Sequence, residues 1–126
     1  MDQGLSKAER INSKLTIEHI FKKGDSVFAY PYRLVWIENS IEQEAIPAQI
    51  LISVGKKRFK RAVDRNAIKR LIREVYRINK NKIWEHCKQN DLNLQMGIVY
   101  VGKEIGDFAV HNKAMLKLIE KLLANR

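Results

Sequence analysis

The chain has 126 residues, with 24 Lys and Arg against 14 Asp and Glu, a formal net charge of +10. That length supports one domain, residues 1–126, burying its own core without staples, and six Gly and two Pro leave no room for a linker or low-complexity segment. A single cysteine, Cys87, excludes an intramolecular disulfide and fits a reducing compartment; with no apolar signal core in MDQGLSKAERINSK and no run near the ~20 residues of a membrane span, the expectation is a soluble cytoplasmic protein, monomeric when free, that engages no membrane.

In chain order, residues 1–13 read as a flexible arm carrying Lys7 and Arg10. Leu15, Ile17, Ile20 and Phe21 are spaced for a short amphipathic helix, ended by Gly24 after Lys22 and Lys23. Ser26 to Ile37 is aromatic, branched and alternating, which predicts one strand with Tyr30, Tyr32, Leu34 and Trp36 on one face and Arg33, Val35 and Ile37 on the other. Pro31 must then sit at an edge or bulge. Glu38 to Pro47 reads as an acidic connector, and Ala48 to Val54 as a second extended run, either alone or closing a hairpin begun near Ile41; Gly55 breaks it.

The segment Lys56 to Lys82 follows, and it holds twelve Lys and Arg with only Asp64 and Glu74 as acids, so it accounts for the whole net charge; the other ninety-nine residues balance. Such a localised field attracts polyanions and makes binding fall steeply with salt. Between Arg61 and Ile78 the period is helical, with Ile68, Leu71 and Val75 in one sector, Ala67 and Ile72 on its flanks, and Arg65, Lys69, Arg73 and Arg77 in an i, i+4 row across from it, joined by Asn66 and Arg70. No acid stands at i, i+4 to neutralise that row. Five Arg among the six bases from Arg61 to Arg77 favour forked phosphate contacts over a merely solvated face.

Lys82 to Gln89 suggests a short helix, Leu94 to Val101 another strand ended by Gly102, and Asp107 an N-cap for a C-terminal helix with Leu116, Ile119 and Leu123 as its apolar stripe and Lys113, Lys117 and Lys121 on another row. Strands on both sides of the basic helix imply an α/β sandwich with one sheet, and a right-handed crossover if those strands are parallel neighbours.

No catalytic centre can be assembled. His19, His86 and His111 are isolated, and His86-Cys87 lacks metal-ligand spacing. Cys87, near Ile83 and Trp84, reads as a packed side chain rather than a nucleophile. Gly55-Lys56-Lys57 lacks the upstream glycine and the Ser or Thr of a phosphate loop. Phe21 closes an apolar stripe and reads first as core, with stacking on an unpaired base as the alternative because Lys22 and Lys23 adjoin it. Phe59, inside KKRFKR, either stacks or anchors its loop to the sheet.

Val54-Gly55-Lys56-Lys57, followed by Arg61-Ala62-Val63-Asp64-Arg65-Asn66-Ala67-Ile68-Lys69-Arg70-Leu71-Ile72-Arg73-Glu74, closely resembles the signature of the bacterial ribonuclease P protein component. Arg10-Ile11, Ile17, Ile20-Phe21-Lys22-Lys23-Gly24, Lys103 and the apolar C-terminal helix fit the same pattern, which spans about residues 9 to 123. The resemblance implies an α-β-β-β-α-α-β-α sandwich with the basic helix in a left-handed crossover. It also implies the small subunit of a ribonucleoprotein that removes the 5′ leader of precursor tRNA, with cleavage carried by the RNA subunit and Mg²⁺ held by RNA and substrate. By the same resemblance Arg61, Arg65, Asn66, Lys69, Arg70, Arg73 and Arg77 contact the RNA subunit. Ile17, Phe21, Arg33, Lys56, Lys57, Arg58, Phe59 and Lys103 line a cleft for the leader, with Arg61 near both surfaces. The chain departs from the family pattern at Ala67, usually Arg; at Ile17, usually aromatic; at Leu51, commonly Gly; and at Gly102, often basic. Two other readings are a general or ribosomal-type RNA-binding protein with no part in cleavage, and a DNA-binding protein with its basic helix in the major groove. Neither involves a small-molecule substrate.

Overall fold

The computed structural model describes residues 9–11, 14–40 and 48–124, without the side chains of residues 39 and 40. The elements run α1 (Lys14–Lys23), β1 (Asp25–Ala29), β2 (Tyr32–Ser40), β3 (Ala48–Val54), α2 (Ala62–Asn79), α3 (Asn81–Gln89), β4 (Leu92–Tyr100) and α4 (Phe108–Ala124). They form a mixed α+β domain around a four-stranded sheet of order β1-β2-β4-β3. β1–β2 and β2–β4 are antiparallel, whereas β3 and β4 are parallel neighbours joined through α2 and α3.

The single strand expected over Ser26 to Ile37 is instead a tight hairpin. Ala29 pairs with Tyr32, and Tyr30-Pro31, joined by a cis peptide, make the turn. Proline cannot donate to a ladder, so the chain reverses where it stands. The even spacing of Tyr30, Tyr32, Leu34 and Trp36 concealed the break: the last three are buried together, but Tyr30 projects from the turn, 61% exposed.

The two sheet faces are covered unequally. Tyr32, Leu34 and Trp36 of β2, with Leu94, Met96, Ile98 and Tyr100 of β4, face the main core under α2, α3 and α4. The alternate residues face a smaller cluster in which Ile20 of α1 and Ile11 bury Val35, with Ile17, Ile37 and Leu51 half-buried around them.

Both long helices are rotated from the sector their sequences suggested. α2 buries Ile68, Ile72, Val75 and Tyr76, with Leu71 only half-buried. Its centre therefore lies toward Tyr76, an amphipathic ring not counted as apolar, and Arg65 and Lys69 run along the margin of the buried face rather than opposite it. On α4 the buried stripe is His111, Ala114, Met115, Leu118, Ile119 and Leu122, and Leu116 is 41% exposed. Apolar residues surround that helix, so spacing alone does not single out a stripe. Asp107 caps it as expected, its Oδ1 accepting the Val110 N–H at 3.0 Å.

The flexible arm expected over residues 1–13 is tied down at residues 9–11. The Ile11 N–H bonds the Ile50 carbonyl at 3.1 Å, covering part of the free edge of β3. Glu9 is buried and pairs with Lys80 at 2.8 Å, the Lys80 ammonium lying 4.8 Å from the Trp84 ring centroid. Residues 1–8, 12 and 13, and 41–47 of the acidic connector with its hairpin alternative, lie outside the described residues.

His111 pins α4 to the sheet although it is polar. Its Nε2–H donates to the Ile105 carbonyl at 2.8 Å, which leaves Nδ1 to accept the Tyr32 hydroxyl at 2.5 Å. Its ring stacks on Tyr100, 5.4 Å between centroids. Burial lowers its pKa, so it stays neutral in the fold. The unfolded chain therefore takes up the proton first, and the contribution is complete above the ordinary histidine value of about 6.5 and lost as pH falls toward the folded value. Thermal melts should show stability falling as pH drops below about 6.5, and His111→Gln, less stable at neutral pH, should flatten that dependence; an unaltered slope would mean His111 does not titrate there.

Candidate nucleic-acid interface

Directly opposed residues in a ladder share a face, so the register maps the side of the sheet carrying α1. One row reads Ser26–Val35–Gly97–Leu51, and the next Phe28–Arg33–Val99–Ser53. α1 lies over the first. A Cβ on Gly97 would sit 3.2 Å from Phe21 Cζ, so the glycine makes the space in which the Phe21 ring rests on the sheet. Where the resemblance implies glycine this chain has Leu51, and Gly97 lies directly opposite it and opens the same face one strand over. The second row is left uncovered, with Phe28 and Arg33 exposed and Val99 and Ser53 half-buried. Phe21, 44% exposed, is the wall of the resulting cleft and Arg33 is on its floor.

The ends of β3 and β4 and the β1–β2 turn lie together, because β3 and β4 are parallel and Tyr32 pairs with Tyr100. Lys56, Lys57 and Arg58, exposed after β3, and Lys103, exposed after β4, therefore rim the same end of the cleft. Arg58 donates to the Val101 carbonyl at 3.1 Å, tying these two segments to each other. Of the predicted cleft residues, Ile17 is half-buried between α1 and the sheet and offers little of its side chain. Phe59 is corrected outright. It is 7% exposed and packs on Tyr100 at 5.9 Å between centroids, so it anchors the loop and cannot stack on a base.

α2 carries the second cationic surface, and its arginines are not equivalent. Arg61 pairs with Asp64 through two 3.0 Å hydrogen bonds, and Arg77 with Glu74 at 2.6 and 3.2 Å. These partners are at i, i+3, which a search for acids at i, i+4 overlooks. The guanidinium hydrogen bonds hold both carboxyls below the usual range. Arg65 donates to the Phe59 and Lys60 carbonyls at 2.7 and 2.9 Å and so fixes the entry loop. Among the described residues Lys69, Arg70 and Arg73 take no such partner, and Asn66 is exposed beside them. Lys69 and Arg73 face a shallow groove of about 140 Å³ against Leu51 and Ile52 of β3, with Arg10 on its far side. Ala67, half-buried, contributes no charge to this ridge.

Cys87 is packed in the main core. Burial pushes the Cys87 thiol up to about 11, so it is uncharged at neutral pH. Among the described residues no three His, Cys, Asp or Glu side chains come together to hold a metal ion, and no helix is long and apolar enough to cross a membrane. Sequence reasoning passed over Gly97, Val99 and Phe28. Alternation along β4 could have put the first two on one face, but Phe28 was hidden by the unrecognised hairpin.

The fold is a small α+β domain with one open row on a partly covered sheet face and one basic helix. A family model described as Ribonuclease P matches residues 5–125. The ribonuclease P protein component of Porphyromonas gingivalis is 37% identical over 122 residues, 97% of this chain and 88% of that one. The RNase P protein of Staphylococcus aureus superposes with a TM-score of 0.70 at 24% identity, covering 92% of this chain and 96% of that one. The RNase P protein of Thermotoga maritima gives 0.71 at 23%, covering 90% and 96%. The chain belongs to the ribonuclease P protein family.

Removing one lysine or arginine from a phosphate lowers the salt slope of RNA binding by roughly 0.7 to 0.9. Replacing Lys69, Arg70 and Arg73 together by Ala should therefore flatten the log-affinity versus log-salt plot for ribonuclease P RNA by about 2 to 3. Replacing Arg61 and Arg77, already paired, should flatten it less. Equal slopes for the two variants, measured by filter binding across salt, would show that the free middle of α2 is not the docking ridge.

Proposed function

We propose that this chain is the protein subunit of a ribonuclease P ribonucleoprotein, using α2 to dock on the catalytic RNA and the open row beside Phe21 to hold the 5′ leader of precursor tRNA. The observation that carries this reading is the presence of two distinct cationic surfaces on one body. Lys69, Arg70 and Arg73 line the flank of α2, while Lys56, Lys57, Arg58 and Lys103 rim the cleft floored by Arg33 and Val99. A protein with one such surface binds RNA; one with two can hold two RNA segments in a fixed relation. The relative from P. gingivalis, named as a ribonuclease P protein component, supports the same reading.

The protein's contribution is positional. Phosphates of an unpaired strand meet the lysines and arginines at the rim, and a base stacks on the exposed edge of Phe21, an interaction typically worth about 1–3 kcal/mol per base. Cleavage at the leader junction belongs to the RNA subunit, with Mg²⁺ bound by RNA and substrate. The chain lowers the repulsion between two polyanions and orients them, so its effect is greatest when divalent cations are scarce. It works in the cytoplasm, as a monomer until it meets RNA.

A general RNA binder with the same sandwich predicts no preference for leader-bearing substrate. The test is cleavage of precursor tRNA by a bacterial RNA subunit at limiting Mg²⁺, with and without the protein, together with binding of precursor and mature tRNA to the complex. The protein should restore cleavage and favour the precursor. Phe21→Ala should weaken precursor binding about tenfold, consistent with loss of one stacked base, and leave mature tRNA unaffected. Gly97→Val, which displaces the ring, should do the same. No rescue and no preference would sink the reading, and equal losses on both substrates with lower thermal stability would return Phe21 to the core.

A further inference from the structure

Beyond the cleft, the β1–β2 turn and the outer side of α4 carry an aromatic and basic patch that the proposed function does not use. Phe28, Tyr30 and Val110 are 49%, 61% and 49% exposed. The Phe28 and Tyr30 rings lie 6.4 Å apart and are tilted by 56°, so they do not cover each other's faces. A groove of about 440 Å³ runs between this turn and α4, lined by Tyr30, Val110, Lys113, Lys117 and Lys121. Tyr30 and Val110 also wall a second hollow of about 350 Å³ that reaches Lys103. Lys121 is fixed in place by donating to the Phe28 carbonyl at 2.6 Å. Lys113 and Lys117, one turn apart, are exposed and take no partner among the described residues, and Glu120 beside them pairs with none of the three lysines. The larger groove is lined by lysines and no acid, while Glu104 lines the second hollow beside Lys103. Adjacent exposed apolar side chains rimmed by polar groups mark an interaction surface, and aromatic rings interleaved with lysines fit unpaired nucleic acid, whose bases stack while its phosphates meet the amines.

The patch is continuous with the cleft. Phe28 is the outermost member of the uncovered row that crosses all four strands through Arg33, Val99 and Ser53. A strand lying on that row and leaving over the β1 edge meets Phe28, then Tyr30, then the α4 lysines. Lys103 joins the two regions at the same end of the sheet.

We infer that the β1–β2 turn and α4 form a second single-strand site, taking the distal, unpaired part of the 5′ leader after it has crossed the sheet. This rests on the proposed function, since it assumes that the leader occupies the open row.

The experiment uses the full chain bound to a bacterial RNA subunit, with precursors carrying leaders of about 4 and about 16 nucleotides, the span of known single-strand site sizes, and mature tRNA as reference. The wild-type complex should bind the long leader more tightly than the short one. Tyr30→Leu should weaken the long leader about tenfold, with Tyr30→Trp retaining affinity. Lys113→Ala/Lys117→Ala should lower its salt slope by about 1.4, the equivalent of two phosphates on a single strand. All variants should keep wild-type affinity for the short leader and melt within a few degrees of wild type. If the lysine pair leaves long-leader affinity and slope unchanged, or weakens both leaders equally, the inference is overturned. Wild-type preference for the short-leader precursor over mature tRNA tests the cleft separately, so the second site can fail while the function stands.

Discussion

The packing of Ile68, Ile72, Val75 and Tyr76 into the main core determines where this protein's charge points. Those four side chains fix the rotation of α2. With that rotation set, Lys69 and Arg73 run beside the β3 edge, Arg70 faces solvent and Arg65 reaches back to its own entry loop. A rotation of one residue, about 100°, would bury the ridge or aim it away from the sheet. An apolar contact the cations take no part in holds them still, which would spare a polyanionic ligand the ordering cost of a mobile basic segment.

The same helix divides its charge by position. Asp64 in the first turn and Arg77 in the last complement the helix dipole, and each takes the nearest opposite charge as partner. Both pairs are too exposed to add much stability. Their consequence is that the ends of α2 are locally neutral while its middle is not, which concentrates the helix's available charge on Lys69, Arg70 and Arg73. On the other side of the sheet, coverage is arranged by a missing side chain. Gly97 admits the Phe21 ring, and α1 stops there, leaving the row through Arg33 and Val99 open.

Much of this was legible in the sequence. β3 was readable to the residue because Val54-Gly55 ends a branched run, and α2 and the Asp107 cap followed from period and chemistry. The basic signature by itself pointed to the family. What was not legible depended on tertiary context. The hairpin at Tyr30-Pro31 preserved the alternation of its flanking strands, so pattern alone joined them. His111 has no place in a sequence pattern because its burial requires two partners, Tyr32 and Ile105, that only the fold supplies. Phe59 looked like a ligand contact, and the acid partners of Arg61 and Arg77 went unseen, because composition cannot distinguish a side chain facing solvent from one already engaged within the protein. Gly97, the residue that shapes the cleft, carried no local signal beyond being a glycine in a strand.

The claim that most depends on this geometry is that the leader lies on the half of the sheet that α1 leaves open. Photo-crosslinking from a single reactive nucleotide in the leader, a few positions upstream of the cleavage site, in the complex of RNA subunit, protein and precursor tRNA, tests it directly. The account predicts adducts on Phe21, Arg33 and Val99. Adducts confined to α3 or to the outer side of α2, with none on the sheet, would contradict it.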